Sequence, residues 1–196
     1  RNIYKVQNIK ERNIWWVLSD MGLSTIHWDG PTQGYYVKNI SHYDSVIQGE
    51  ITDLLVVATQ VIVSTTEGLY HISSSEISEI SVEMLDTPSV AFLELGIGNK
   101  VWFAVESTLY YYDVTQAEQG ATAYGAFADL GTIKAMHMAA DESLFWLLST
   151  TYAQLMNYDN PTPILRIELN AYDALYRGNS HYLATDEGVT WIDQSA

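Results

Sequence analysis

Cysteine is absent from the 196-residue chain, which excludes disulfides, thiolate metal sites and cysteine nucleophiles. This fits an exported bacterial protein. Long apolar runs are also lacking: the longest, such as Asp53 to Val63, are interrupted well before the roughly 18 to 20 residues needed to cross a bilayer. An initiator methionine and a basic-apolar-small leader are missing too, so the expectation is a processed product or, preferably, an excerpt from a longer protein. Basic residues are scarce, nine against 24 acidic ones, for a net charge of −15. Four of the nine (Arg1, Lys5, Lys10, Arg12) fall in the first twelve positions, leaving the remaining surface strongly acidic. A field of that sign repels phosphate backbones and anionic lipid, so nucleic acid and membrane insertion are set aside as modes of action. Cations, basic protein surfaces and neutral glycans stay open as partners.

What is present is a repeat. With 47% of residues hydrophobic, the chain has enough apolar material for a core. Five segments align: IWWVLSDMGLSTIHWD from Ile14, VIVSTTEGLYHIS from Val61, VWFAVESTLYYYD from Val101, LFWLLSTTYAQLMNYD from Leu144 and HYLATDEGVTWID from His181. Each begins with aromatic and β-branched residues, passes through a small polar turn and resumes with an apolar run, the pattern of a β-hairpin. The hairpins are placed at 14–29, 61–73, 101–113, 144–159 and 181–193 of a single domain, 1–196. Gly22, Gly68 and Gly188 are expected to supply a positive φ at the turn in three repeats, with the turns of the others near Thr108 and Thr151. Measured between these markers, the spacings are 46, 40, 43 and 37 residues, the length of a four-stranded blade.

A strand is expected before each hairpin, at Val6 to Ile9, Leu54 to Ala58, Ala91 to Leu95, Ile133 to Ala139 and Ala174 to Arg177, with turns at Asn13, Asn99, Asp141 and Asn179. Outer strands are expected at Tyr35 to Ile40, Ile80 to Leu85, Ala123 to Leu130 and Pro163 to Leu169. Pro31, Pro161 and Pro163 lie near their starts, where a missing donor is tolerated. Only the alanine-rich stretch Ala117 to Ala128 has the composition of a helix. The fold class is therefore all-β, a β-propeller of about five four-stranded blades or part of a larger one, with a β-sandwich or another β-solenoid as the alternative. The fifth repeat lacks an outer strand, and Asn2 to Lys5 is the candidate to complete it.

The hairpins resemble the repeats of two-component-regulator propellers and related bacterial propellers, most clearly VIVSTTEGLYHIS and HYLATDEGVTWID. The last also resembles an Asp-box: Asp186, Gly188, Thr190 and Trp191 match D-x-G-x-T-W, whereas Ala184 departs from the usual Ser or Thr. The resemblance implies a fold rather than an activity, and it implies that Asp186 ties down the backbone donors of its turn. Sialidase-like propellers hold their substrate with an arginine cluster; Arg1, Arg12, Arg166 and Arg177 do not lie at these turns, so that activity is not expected.

The five histidines (His27, His42, His71, His137, His181) have no zinc spacing, and no calcium loop, P-loop or dinucleotide fingerprint is present, so the reading assigns no metal, no cofactor and no catalytic residue. LGIGNK, from Leu95, reads as a turn between strands. Acidic residues recur at the hairpin turns: Asp20, Glu67, Glu106, Asp186 and Glu187 are expected to form a broken acidic ring that attracts a cation or a basic surface. Trp28, Tyr35 and Tyr36, around the Gly30 to Gly34 loop, are the aromatic candidates for stacking on a sugar or anchoring a protein. Tyr110 to Tyr112 form a further run, of which alternate residues should pack inward. An N-x-S acceptor spans Asn39 to Ser41. The expected function is a non-catalytic binding or scaffold propeller, a protein- or glycan-recognition module of a larger exported or surface protein. A carbohydrate-active enzyme using channel carboxylates and a structural subunit of a surface assembly are the alternatives.

Overall fold

The computed structural model describes residues 2–9, 13–28, 30–39, 47–72, 77–79, 90–116, 119–139, 143–177 and 180–193. Among these, nineteen strands form five antiparallel sheets. The first sheet is β1 (Ile3–Ile9), β2 (Ile14–Ser19), β3 (Gly22–Trp28) and β4 (Tyr35–Asn39), with a four-residue helix, α1 (Gly30–Gln33), between the last two. The second is β5 (Ile51–Val57), β6 (Gln60–Thr65), β7 (Leu69–Ile72) and β8 (Ile77–Glu79). The third is β9 (Glu94–Leu95), β10 (Lys100–Val105), β11 (Thr108–Asp113) and β12 (Ala121–Ala126). In the fourth, β13 (Ile133–Met138), β14 (Leu144–Ser149), β15 (Tyr152–Asn157) and β16 (Pro163–Glu168) follow in chain order. The fifth has three strands, β17 (Ala171–Arg177), β18 (Ser180–Thr185) and β19 (Gly188–Asp193).

The hairpins close on a hydroxyl more regularly than on a glycine. Ser19 Oγ accepts the Met21 N–H at 3.2 Å and donates to the Gly22 carbonyl at 3.3 Å. Thr65 Oγ1 accepts from Glu67 and Gly68 at 3.1 and 2.9 Å and donates to the Gly68 carbonyl. Ser149 Oγ accepts from Thr151 and Tyr152, and Thr185 Oγ1 accepts from Glu187 and donates to Gly188. The hydroxyl satisfies turn donors that the ladder cannot reach. Two expectations are corrected by this. Gly22 and Gly188 have positive φ, but Gly68 does not, because Thr65 organises a longer turn there. The Glu187 N–H beside Asp186 is bound by the Thr185 hydroxyl rather than by the Asp. In the third sheet Val105 offers no hydroxyl, and Glu106 adopts a φ of 52° in the Glu106–Ser107 turn.

The residue opposite each hydroxyl begins an inner strand and is followed by a bulge. Ile3 pairs with Ser19, Ile51 with Thr65, Ile133 with Ser149 and Ala171 with Thr185, and the register shifts immediately after each. An extra residue there lets the strand bend while its pairing continues. Three inner strands therefore start before the expected Val6, Leu54 and Ala174. Ile3 to Lys5 belongs to β1 in the first sheet and does not complete the fifth. Of the alanine-rich stretch, residues 117 and 118 lie outside the described residues, and Ala121–Ala126 form strand β12, paired along β11, followed by one turn of 3-10 helix, Ala128–Leu130. Residues 80–85 and the turns at 141 and 179 lie outside the described residues. Asn13 and Asn99 do take positive φ, as does Ala58, which no turn signal announced.

The chain divides into two compact units, one of Arg1–Leu93 with Val114–Gly120 and one of Glu94–Asp113 with Ala121–Ala196. In the first unit, Ile9, Trp16, Leu18 and Leu23 of the first sheet pack against Leu54, Val61, Val63, Tyr70 and Ile72 of the second. Each such side chain, once buried, contributes about 1.5 to 3 kcal/mol against leaving it in water. Lys5 crosses to Asp53 at 2.7 Å, and Asp53 also accepts the backbone N–H groups of Leu54 and Leu93. In the second unit, Trp102 of the third sheet is enclosed by Tyr111, Tyr124, Phe145 and Tyr158, and Trp146 of the fourth donates to His181 Nδ1 of the fifth at 3.0 Å.

Two outcomes follow. Thr65→Val keeps the shape but leaves two turn amides without their acceptor, which should cost about 1 to 3 kcal/mol, read as a lower urea midpoint; Thr65→Ser should retain most of the stability. Burial holds the His71 imidazole below its ordinary value of 6.5, so the folded chain keeps it neutral where the unfolded chain protonates it. The stability from that difference is present above about pH 6.5 and lost as pH falls below it. The urea midpoint of His71→Gln should therefore decline less steeply between about pH 7 and pH 5 than that of the parent.

Candidate recognition site

The aromatic candidates sit where β3 and β4 run into α1. Trp28 pairs across the ladder with Tyr35, and His27 with Tyr36. Successive side chains of a strand point to opposite faces, so the three candidates divide. Trp28 and Tyr35 lie on one face with ring centroids 4.6 Å apart, and Trp15 of β2 braces Tyr35 edge-on at 5.7 Å. Tyr36 is on the other face, stacked on His27 at 4.9 Å and 7°. All three candidates are exposed, Tyr35 at 63% and Tyr36 at 49%, and Val37 beside them is 63% exposed. Trp15 and Val37 escaped the sequence reading; the cross-strand register that places them beside the pair becomes visible only once the hairpin partners are known.

The edge contact from Trp15 restricts the Tyr35 ring, which reduces the side-chain freedom lost when a ligand covers it. The Tyr110 to Tyr112 run is different. Tyr110 and Tyr112 are buried, and Tyr111 packs against Trp102 with the Lys100 ammonium 4.5 Å from its ring. Burial, with Asp113 adding to it, pushes the Tyr112 hydroxyl up to about 12. Burial first, then Tyr158 and Asp159, does the same for Tyr124, whose hydroxyl donates to the Tyr158 carbonyl at 2.8 Å.

The acidic candidates are exposed and lie on hairpin turns, Asp20 and Glu67 in the first unit and Glu106, Asp186 and Glu187 in the second. Asp186 has a counter-charge nearby: Lys134, whose ammonium bonds Asn170 and lies 4.7 Å from the Tyr172 ring centre, is held below its ordinary value by burial and pushed back up by Asp186. Asp129 is paired with Arg166, whose guanidinium also covers the Tyr152 ring. Among the described residues no three His, Asp or Glu side chains converge as a metal site would require. His71 and His181 are buried within their sheets. His137 is 3.4 Å from Asp173, and burial lowers its pKa against the opposing pull of that carboxylate.

No protein-family model and no curated protein matches the sequence. Solved structures do match in fold. The extracellular domain of a putative hybrid two-component system from B. thetaiotaomicron is similar over 98% of this chain and 27% of that one, with a TM-score of 0.69 and 12% identity. YCF48 bound to D1 peptide is similar over 92% of this chain and 60% of that one, with a TM-score of 0.65 and 13% identity. PorZ, a surface component of the type-IX secretion system of Porphyromonas gingivalis, is similar over 97% of this chain and 27% of that one, with a TM-score of 0.63 and 13% identity. The chain thus spans about a quarter to three fifths of the length of these propellers, and its five antiparallel sheets have the β-propeller fold.

Proposed function

We propose that this chain is a non-catalytic recognition segment of a larger exported or surface propeller protein, binding a protein or glycan through the aromatic surface at the β3–β4 end of the first sheet. The observation that carries the reading is the exposed Trp28–Tyr35 pair, with Trp15 set edge-on against Tyr35. Rigid aromatics of this kind provide large contact area at low entropic cost, and they suit a sugar face or an apolar protein anchor equally. The exposed turn carboxylates Asp20, Glu67, Glu106, Asp186 and Glu187, in a chain of net charge −15, favour a partner with basic groups over an anionic one. Export is supported by the extracellular and surface settings of the first and third structural relatives, and protein recognition by the peptide bound to YCF48.

The test is the 196-residue chain and its W28A/Y35A variant on glycan and peptide arrays, with a hydrolysis assay on every glycan retained. A hit that weakens about ten-fold or more in the variant, and weakens with added salt for basic ligands, supports the reading. Turnover of a glycan, or affinities unchanged by the double substitution, would sink it.

A further inference from the structure

The two faces of the fifth sheet differ in a way that the fourth sheet explains. On one face, Leu183 and Ala174, Tyr176 and Ile192 pack against the fourth sheet. The other face carries a cross-strand row, Leu175 opposite Tyr182 opposite Trp191, and beside it Ala184 opposite Val189. These are large apolar side chains in water: Leu175 is 65% exposed, Trp191 60% and Val189 71%.

The fourth sheet has the same rows at the same distances from its bulge. Trp146 lies opposite His137 and Leu155, and Leu148 opposite Ala153. Counted from the pre-bulge residue, Ile133 in one sheet and Ala171 in the other, His137 corresponds to Leu175; across the matching hairpins Trp146 corresponds to Tyr182, Leu155 to Trp191 and Ala153 to Val189. In the fourth sheet Trp146, Leu148, Ala153 and Leu155 are at most 1% exposed, because the fifth sheet covers them. The fifth sheet thus presents, uncovered, the surface that its predecessor uses to hold a neighbour. Apolar clusters of this size, arranged for packing, mark an interaction surface.

We propose that this face of the fifth sheet docks a further antiparallel β-sheet of the same repeat, carried on the same polypeptide. The occupant is specified by the interface already built between the fourth and fifth sheets, in which an aromatic and leucine row meets a mainly aliphatic face of Ala174, Leu183 and Ile192, with Tyr176 beside them. A source on the same polypeptide accords with the structural relatives, whose chains continue well beyond the portion that this chain matches. The exposed Trp191 of the D-x-G-x-T-W sequence then acts as a packing residue between sheets, and ligand contact is left to the first sheet. This inference rests on the chain being a segment of a larger protein, but not on what that protein binds.

The test compares radical footprinting of the recombinant 196-residue chain with that of the polypeptide isolated from its native cells, whose intact mass is measured alongside. Oxidation of Trp191 and Leu175 is expected to be at least ten-fold slower in the native polypeptide, with Met21, 72% exposed on the first hairpin turn, as the internal reference. Equal rates at Trp191 and Leu175 would overturn the proposal. So would a native mass equal to the 196-residue chain, or protection that appears in the recombinant chain only as its concentration rises, which would make a second copy the occupant. Array binding through Trp28 and Tyr35 is read separately on the recombinant chain, so failure of either idea leaves the other standing.

Discussion

A small antiparallel sheet that is apolar on both faces leaves one or both in water unless other sheets cover them, and that covering supplies most of its stability. That constraint governs the sequence throughout. β6, β10 and β14 are apolar on both faces, as sandwiched strands must be, whereas β16, β17 and β19 alternate between exposed and partly buried residues. Trp16 and Leu18 of the first sheet are set against Leu54, Val61, Val63, Tyr70 and Ile72 of the second, and Trp146, Leu148 and Leu155 of the fourth against Ala174, Leu183, Tyr176 and Ile192 of the fifth. Trp102 of the third instead meets the rings of Phe145 and Tyr158.

Face-to-face packing is helped by a repeated local geometry, which two linked devices set in four of the five sheets; the third, where Val105 stands in place of the hydroxyl, turns on the positive φ of Glu106 instead. A Ser or Thr hydroxyl ties the amides of the hairpin turn, and the apolar residue paired with it precedes a bulge in the inner strand. The residue after the bulge is then free to reach the preceding sheet. Asp53 meets Lys5 in this way and Asp173 approaches His137, so corresponding positions of two repeats provide polar links between sheets. The partly buried Lys5–Asp53 pair, supported by two further N–H donors, matters more to this geometry than the exposed pairs do.

The candidate site was legible only in part. Trp28, Tyr35 and Tyr36 stand out because aromatics beside a Gly-Pro loop have no core to enter, and all three are exposed. Their division between two faces, and the bracing by Trp15, depend on which residues oppose each other across β3 and β4. The acidic turns were equally visible, yet the proximity of Lys134 to Asp186 was not, since 52 positions of chain separate them.

By itself the sequence determined the five hairpins, their spacing and their β character, because alternation, β-branching and turn chemistry are local properties. It also determined that the chain carries a net charge of −15 and that thiol chemistry is impossible. Tertiary structure decided the rest. The bulges, the register, the fate of Asn2 to Lys5, the inward turn of Tyr110 and Tyr112 and the apolar row left open on the fifth sheet all depend on what lies opposite each strand. Such contacts join residues distant along the chain, and the free energy of covering a side chain belongs to the pair of surfaces rather than to either segment.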